Sequence, residues 1–236
     1  MQRIKTIIEY DGTEFNGWQV QPYYRTVQGE IENALKKIYK KDIRIEGGGR
    51  TDRGVHALGQ VASFTVPSRL MTDELKRALN GNIAKDILIK GCEEVSSSFH
   101  ARFSAKTRIY RYQIYTRESV FCQRYFYQIK EKLQIPLIRK SAKHLIGEKD
   151  FSNLATKDKG VCDLKKIDIS TDVDKIYITV EANHFLRRLV RGIVGLLIDV
   201  GRGKIHPNDV EKIISGSSRR FLVAPPQGLF LITINY

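Results

Sequence analysis

Polar and apolar positions along the chain change period repeatedly, and each change predicts an element. RIKTIIEY (3–10) reads as a strand. VQGEIENALKKIY (27–39) then places Val27, Ile31, Ala34, Leu35 and Ile38 at helical spacing, with Thr26 a candidate N-cap. DIRIE (42–46) reads as a short strand, and QVASFTV (60–66) alternates around Val61 as a second. TDELKRALN (72–80) opens with Thr72 as cap and an acidic first turn and then turns basic, the pattern of a helix. DILIKGCEEV (86–95) completes the first half as a strand. The order β-α-β-β-α-β is that of the ferredoxin-like split unit.

The second half repeats this order with longer pieces. TRIYRYQIY (107–115) alternates as a strand, and IPLIRKSAKHLIG (135–147) reads as a helix with Pro136 in its first turn. KKIDIST (165–171) and KIYITVEA (175–182) read as a hairpin across 172–174. FLRRLVRGIVGLLIDVG (185–201) reads as a helix ending at Gly201, a short helix follows Pro207, and GLFLITINY (228–236) is a closing strand. The expectation is an α+β protein of two ferredoxin-like halves with antiparallel sheets, residues 1–104 and 105–236. No sequence repeat, long linker or low-complexity stretch interrupts it, so the halves are expected to pack as one body.

Composition adds to this picture mainly through charge. The 236 residues are 42% hydrophobic and 28% charged, ordinary for a chain that buries a core. Forty Lys and Arg against 26 Asp and Glu give a net charge of +14, which makes a polyanion, nucleic acid first, the partner to test. Residues 106–236 hold 24 basic and 13 acidic groups and residues 1–105 hold 16 and 13, so the second half is expected to supply most of the long-range attraction. A solvated basic surface would show the same asymmetry. The longest apolar stretch, near Ile193–Ile198, is too short to span a bilayer, and the N-terminus lacks the apolar run of a signal peptide. Cys92, Cys122 and Cys162 are scattered and odd in number, as are the five histidines. No metal or disulfide constellation is predicted, and a reducing, cytoplasmic setting fits.

GGGRTDRGVHALGQ (47–60) stands apart. Three glycines follow a strand, and one carboxylate, Asp52, sits between Arg50 and Arg53. Phosphate-loop readings fail, because no GK[ST] is present and the next element reads as a strand. On composition alone, a turn aspartate balanced by neighbouring arginines is the favoured reading, because charged turn residues are common.

The surrounding blocks change the balance. The loop resembles the Gly-Arg-Thr-Asp-x-Gly-Val-His hallmark of the TruA-type tRNA pseudouridine synthases, and further blocks resemble the same family in order. These are IEYDGTEFNGWQVQ (8–21), RTVQGEIENAL (25–35), FHARFSAKTRIYRYQI (99–114), NHFLRRLVRGIVGLLIDVG (183–201) and APPQGLFLITINY (224–236). Departures fall at Arg53, Ile83-Ala84, Leu154 and Leu189, and none removes a catalytic group.

The resemblance implies isomerisation of uridine to pseudouridine in the anticodon arm of tRNA, at positions 38–40. It implies a homodimer that grips tRNA, an active-site cleft between the halves, and no metal, nucleotide or other cofactor. Asp52 is carried over as the catalytic carboxylate, acting by attack on the sugar, addition at uracil C6, or removal of a sugar proton. Arg191 matches the family arginine expected to pair with Asp52. Tyr110 matches the active-site tyrosine, although Tyr110 and Tyr112 share a strand face and core packing is a rival. Arg50 resembles the arginine that fills the gap left by the flipped base, and Leu229 matches a position under the uracil. Arg53, Arg102 and Arg108 are further candidates for substrate contact, since basic groups around Phe103 and Tyr110 suit backbone contact plus stacking. Lys157, Lys159, Lys165 and Lys166 are a second candidate patch. Two rivals are a non-catalytic RNA-binding module and the same chemistry on another RNA.

Overall fold

Strand β1 (Gln2–Tyr10) alternates strictly, and its even positions Ile4, Thr6, Ile8 and Tyr10 are buried. A strand with one buried face has its register specified by that face. β1 accordingly lies between β3 (His56–Val66) and β4 (Ile87–Val95), antiparallel to both. The computed structural model of the chain describes residues 1–216 and 221–236, which divide into two compact units. The first comprises Met1–Lys106 and Phe230–Tyr236, the second Thr107–Leu229.

In the first unit the sheet is covered by α1 (Val27–Tyr39) and α2 (Thr72–Asn80), both with the predicted limits. The α1 stripe Val27, Ile31, Ala34 and Leu35 is fully buried, and the Thr26 side chain accepts from the Gly29 N–H as its cap. α2 starts one residue earlier than its threonine suggests. Met71 is the cap, and its N–H donates to the Glu74 carboxylate at 2.9 Å.

The strand expected over 42–46 shrinks to β2, Glu46–Gly47, paired with β3. The reason lies in α1. Glu32 accepts from the Ile45 N–H and Gln28 donates to the Ile45 carbonyl, so helix side chains take the bonds a ladder would need. β3 starts at His56, four residues before the apolar run. Its edge is shared: Ala62 and Ser63 pair with β2, while His56 and Ala57 pair in parallel with Phe230 and Leu231 of the closing strand β10 (Leu229–Asn235). The sequence assigns that strand wholly to the second half. The structure places Phe230–Tyr236 with the first, where Gly59 lets the Ile232 carbonyl approach to within 2.4 Å of where a Cβ would stand.

The second unit has the strand order β5 (Thr107–Tyr115), β9 (Lys175–Ala182), β8 (Val161–Asp172), β7 (Gly147–Asp150), all antiparallel neighbours. A short β6 (Tyr127–Gln128) runs parallel beside β5. β6 and β7 were not expected. Helix α3 (Ile135–Lys143) stops four residues short of its expected end, because the chain turns at His144 to enter β7. Helix α4 (Leu189–Gly201) begins four residues late, since Arg188 adopts left-handed φ of 61°. A 3-10 turn at Pro207–Asp209 leads into α5 (Val210–Ile214).

α4 is the centre of this unit. All of its residues are buried except Arg191. Gly192 and Gly195 make such depth possible, because backbone passes where side chains would be. A Cβ at Gly192 would lie 2.1 Å from the Leu154 carbonyl oxygen, and one at Gly195 would lie 1.7 Å from that of Leu222. Gly195→Ala is expected to cost at least about 1–3 kcal/mol through overpacking, although alanine is the better helix former by about 1 kcal/mol. Gly81→Ala, at a right-handed φ of −75° with nothing closer than 3.4 Å, is the control and should be neutral or stabilising. Urea denaturation of the two variants measures the contrast.

Candidate active site

The loop between β2 and β3 is held at nearly every residue by the first unit's own core. Gly47 lies under the Trp18 ring, where a Cβ would sit 2.4 Å from Nε1. The Gly48 N–H donates to the Val61 carbonyl at 2.7 Å, and the Gly49 carbonyl accepts from the buried Gln60 amide at 2.8 Å. Thr51 is buried, its hydroxyl 2.7 Å from the Tyr10 hydroxyl, and its carbonyl accepts from the Trp18 N–H at 3.1 Å. Gly17 permits that last approach, with φ of +88° and a would-be Cβ 2.6 Å from the same carbonyl oxygen. The Asp52 carbonyl closes a turn to the Val55 N–H at 3.2 Å. Beyond the turn, the Gly12 N–H donates to His56 Nδ1 at 3.0 Å, and the His56 ring stacks on Phe230 at 4.6 Å.

Thr51 and Val55 are therefore buried on either side of a turn that leaves Asp52 partly accessible and Arg50 and Arg53 exposed. A carboxylate on an immobilised turn between two cations is pre-set in position before any substrate arrives. His56 closes the hallmark and Tyr10, Gly12 and Gly17 fall in the 8–21 block, but the sequence does not show that they or Gln60 support the loop. They act across distances of up to about 45 residues in the chain, and their types are ordinary in strands and turns.

The remaining candidates lie on other elements. Arg102 is exposed on the turn His100–Ser104 of the first unit, 5.6 Å from the Phe103 ring. In the second unit, Arg108, Tyr110, Tyr112 and Ile114 form the buried face of β5. Tyr110 is 7% exposed and meets Phe185 edge-on at 5.3 Å. Arg108, a candidate substrate contact, is set into this face. It is buried, and its guanidinium donates to the Asn183 carbonyl at 2.6 Å, fixing the chain between β9 and α4. Arg191 is held from both ends: its Nε donates to the Ala224 carbonyl at 2.7 Å, and its own carbonyl accepts from the Ala224 N–H at 3.0 Å. Tyr112, which donates to the Pro225 carbonyl at 2.8 Å, has its acidity suppressed by burial and further by Tyr127, against a smaller pull from the Arg191 charge. Leu229 is buried at the start of β10. Lys157, Lys159, Lys165 and Lys166 are surface residues, and Lys165 is paired with Asp163. Among the described residues no three of His, Cys, Asp and Glu form a group able to hold a metal, and no helix is long and apolar enough to cross a membrane.

Burial pushes the Tyr10 phenol up to about 12, against the smaller opposing effect of its bonds with Thr51 and Gln60. Its folded value lies above the ordinary value near 10, so the folded chain keeps this proton while the unfolded chain loses it. The resulting stability is full below about pH 10 and disappears as the pH rises to about 12. Tyr10→Phe should cost about 0.5–1.5 kcal/mol at neutral pH and make the alkaline loss shallower, as read by urea denaturation at pH 7 and pH 11.

Residues 6–104 and 141–236 match the family model described as tRNA pseudouridine synthase. The unmatched stretch between them holds Arg108 and Tyr110. Full-length relatives span it. The tRNA pseudouridine synthase A of Thermosipho melanesiensis is 43% identical over 242 residues, covering 99% of both chains. That of Caldicellulosiruptor saccharolyticus is 42% identical over 248 residues, covering all of both. The solved archaeal box H/ACA sRNP Nop10–Cbf5 complex resembles 83% of this chain and 43% of that chain at a TM-score of 0.40 and 14% identity, too distant to inform the site. With the family model covering most of its length and full-length relatives at about 40% identity, the chain belongs to the tRNA pseudouridine synthase family, a family of isomerases.

Proposed function

We propose that this chain isomerises uridine to pseudouridine in the anticodon arm of tRNA, at positions 38–40, with Asp52 as its catalytic carboxylate. The observation that carries the reading is the immobilised loop 47–56, which holds Asp52 accessible between Arg50 and Arg53 in a chain whose family relatives match it over its full length. The N1–C1′ bond breaks, the uracil turns, C5 bonds to C1′, and the C5 proton leaves while N1 gains one. The sum is redox-neutral and consumes no cosubstrate. A base inside a folded RNA must leave its stack to be reached, and Arg50 is suited to fill the space it vacates. Bond breakage builds positive charge on the sugar, which a carboxylate stabilises or traps. All three roles open to Asp52 use the carboxylate itself.

Tyr110 is proposed to stack on the uracil and assist proton removal at C5, Leu229 to pack beneath the base, and Arg191 to orient Asp52. Arg53 and Arg102 are proposed as strand contacts. Arg108 is proposed to act indirectly, through the Asn183 loop it holds. Each half is read as a ferredoxin-like split unit, for which the first unit's strand order β4-β1-β3 with β2 on β3 is the support. The same reading makes the protein a cytoplasmic homodimer, checked by light scattering.

The test is incubation with unmodified tRNA, without added metal or nucleotide, followed by chemical mapping of pseudouridine. Product at 38–40 supports the reading; product elsewhere or in another RNA redirects it. Asp52→Asn should abolish product while tRNA affinity stays within a few-fold, because removing a negative charge cannot weaken attraction to RNA. Turnover near wild type would remove Asp52 from the mechanism. Arg191→Met, which keeps the apolar stem, should cripple turnover more than stability or affinity. Full activity in that variant would remove Arg191.

A further inference from the structure

We propose that Phe103, flanked by Arg102, is a stacking platform for an unpaired nucleotide of the bound tRNA, next to the isomerised uridine. The inference rests on the reading of the chain as a tRNA-modifying enzyme. Phe103 is 76% exposed, an unfavourable position for a phenylalanine, and yet its turn is tightly built. The Ser104 N–H donates to the His100 carbonyl at 2.9 Å, and the Ser104 hydroxyl accepts from the His100 N–H at 3.1 Å. His100 Nδ1 accepts from the Arg102 N–H at 3.1 Å and the Phe103 N–H at 3.4 Å. The turn is anchored inward as well: the Ala101 N–H donates to the buried Ser63 hydroxyl, and the Ala101 carbonyl accepts from the Tyr236 hydroxyl.

This rigidity presents the ring rather than hiding it. His100 lies 4.3 Å from Phe103 and supports it, and the Arg102 guanidinium stands 5.6 Å from its centroid. An exposed aromatic ring with a cation beside it matches a base and its phosphate, the pairing on which single-stranded RNA is held. Lys106 adds a second exposed cation nearby in the chain, and the acid at this end, Glu46, is engaged by Arg3. The placement is also right. Ala101 packs on Gly48, where a Cβ would stand 3.0 Å from the Ala101 carbonyl oxygen, so the turn abuts the loop that carries Asp52. A phenyl ring has no polar group to read a base edge, so the contact would grip any base.

The experiment compares wild type, Phe103→Ala and Phe103→Trp on unmodified tRNA. Phe103→Ala should raise Kd and KM by about five- to 150-fold, the range of one base–aromatic stack, with kcat at saturating tRNA within about two-fold. The salt dependence of binding should keep its slope, because no phosphate contact is lost. Phe103→Trp should bind like wild type, and tRNA should quench its emission by more than it quenches the wild type, whose one tryptophan, Trp18, is buried. Unchanged Kd in Phe103→Ala, a flattened salt slope, or an unquenched tryptophan overturns the proposal. Wild-type affinity with an altered oligomeric state in Phe103→Ala also overturns it, marking a protein interface instead. Wild type that makes no pseudouridine in tRNA overturns the functional reading and this inference together, whereas active wild type with an indifferent Phe103→Ala overturns this inference alone.

Discussion

The hydroxyl pair Tyr10–Thr51, buried at the end of β1, is the contact on which the arrangement of the loop that carries Asp52 turns. It joins the central strand of the first unit to the residue before Asp52. A buried hydroxyl without a partner costs about 1–3 kcal/mol, so each group holds the other in place. Around it the loop's backbone is fixed by Trp18, Gln60, Val61 and His56, and the close approaches at Gly12 and Gly17 leave no room for it to shift. A Cβ at Gly12 would lie 2.0 Å from the Val55 carbonyl oxygen.

This organisation suits an isomerisation. For the proposed reaction, a carboxylate already positioned by the fold draws none of the tRNA's binding energy for its own placement. The second unit follows the same logic with different parts. α4 is sunk so deeply, by virtue of Gly192 and Gly195, that Arg191 is its one residue short of full burial, and Ala224 holds that arginine at both its Nε and its carbonyl. Tyr110 and Arg108 are likewise set into the buried face of β5. Residues proposed for chemistry are rigid, while Arg50, Arg53, Arg102 and Phe103 are displayed at the surface.

Much of this was legible in the sequence, and the failures have physical causes. The limits of α1 and α2 follow from periodicity, since their apolar stripes are unambiguous. The strand over 42–46 failed because Gln28 and Glu32, two side chains of α1, take the backbone bonds of Ile45, a contact no local pattern reports. The start of α4 failed at Arg188, whose left-handed φ keeps the helix from extending before Leu189, a backbone conformation the apolar pattern does not report. β10 changed unit because pairing, not chain order, decides where a strand belongs. Asp52 was visible as a lone carboxylate in a glycine-rich loop, but its supports were not. At Arg108 the sequence shows a basic residue among aromatics but not its burial or its bond to the Asn183 carbonyl, which depend on the pairing of β5 with β9.

If Asp52 is the catalytic carboxylate, the immobility of its loop, and not charge alone, makes it competent. Single-turnover kinetics of Thr51→Val on unmodified tRNA, with enzyme in excess, tests it most directly, because valine keeps the shape of threonine and removes only the hydroxyl facing Tyr10. The account predicts a chemical rate lower by about 100-fold, the effect of a displacement near 1 Å, with tRNA affinity within a few-fold of wild type. A rate equal to wild type, in a variant that has lost stability as the broken hydroxyl pair requires, would contradict it.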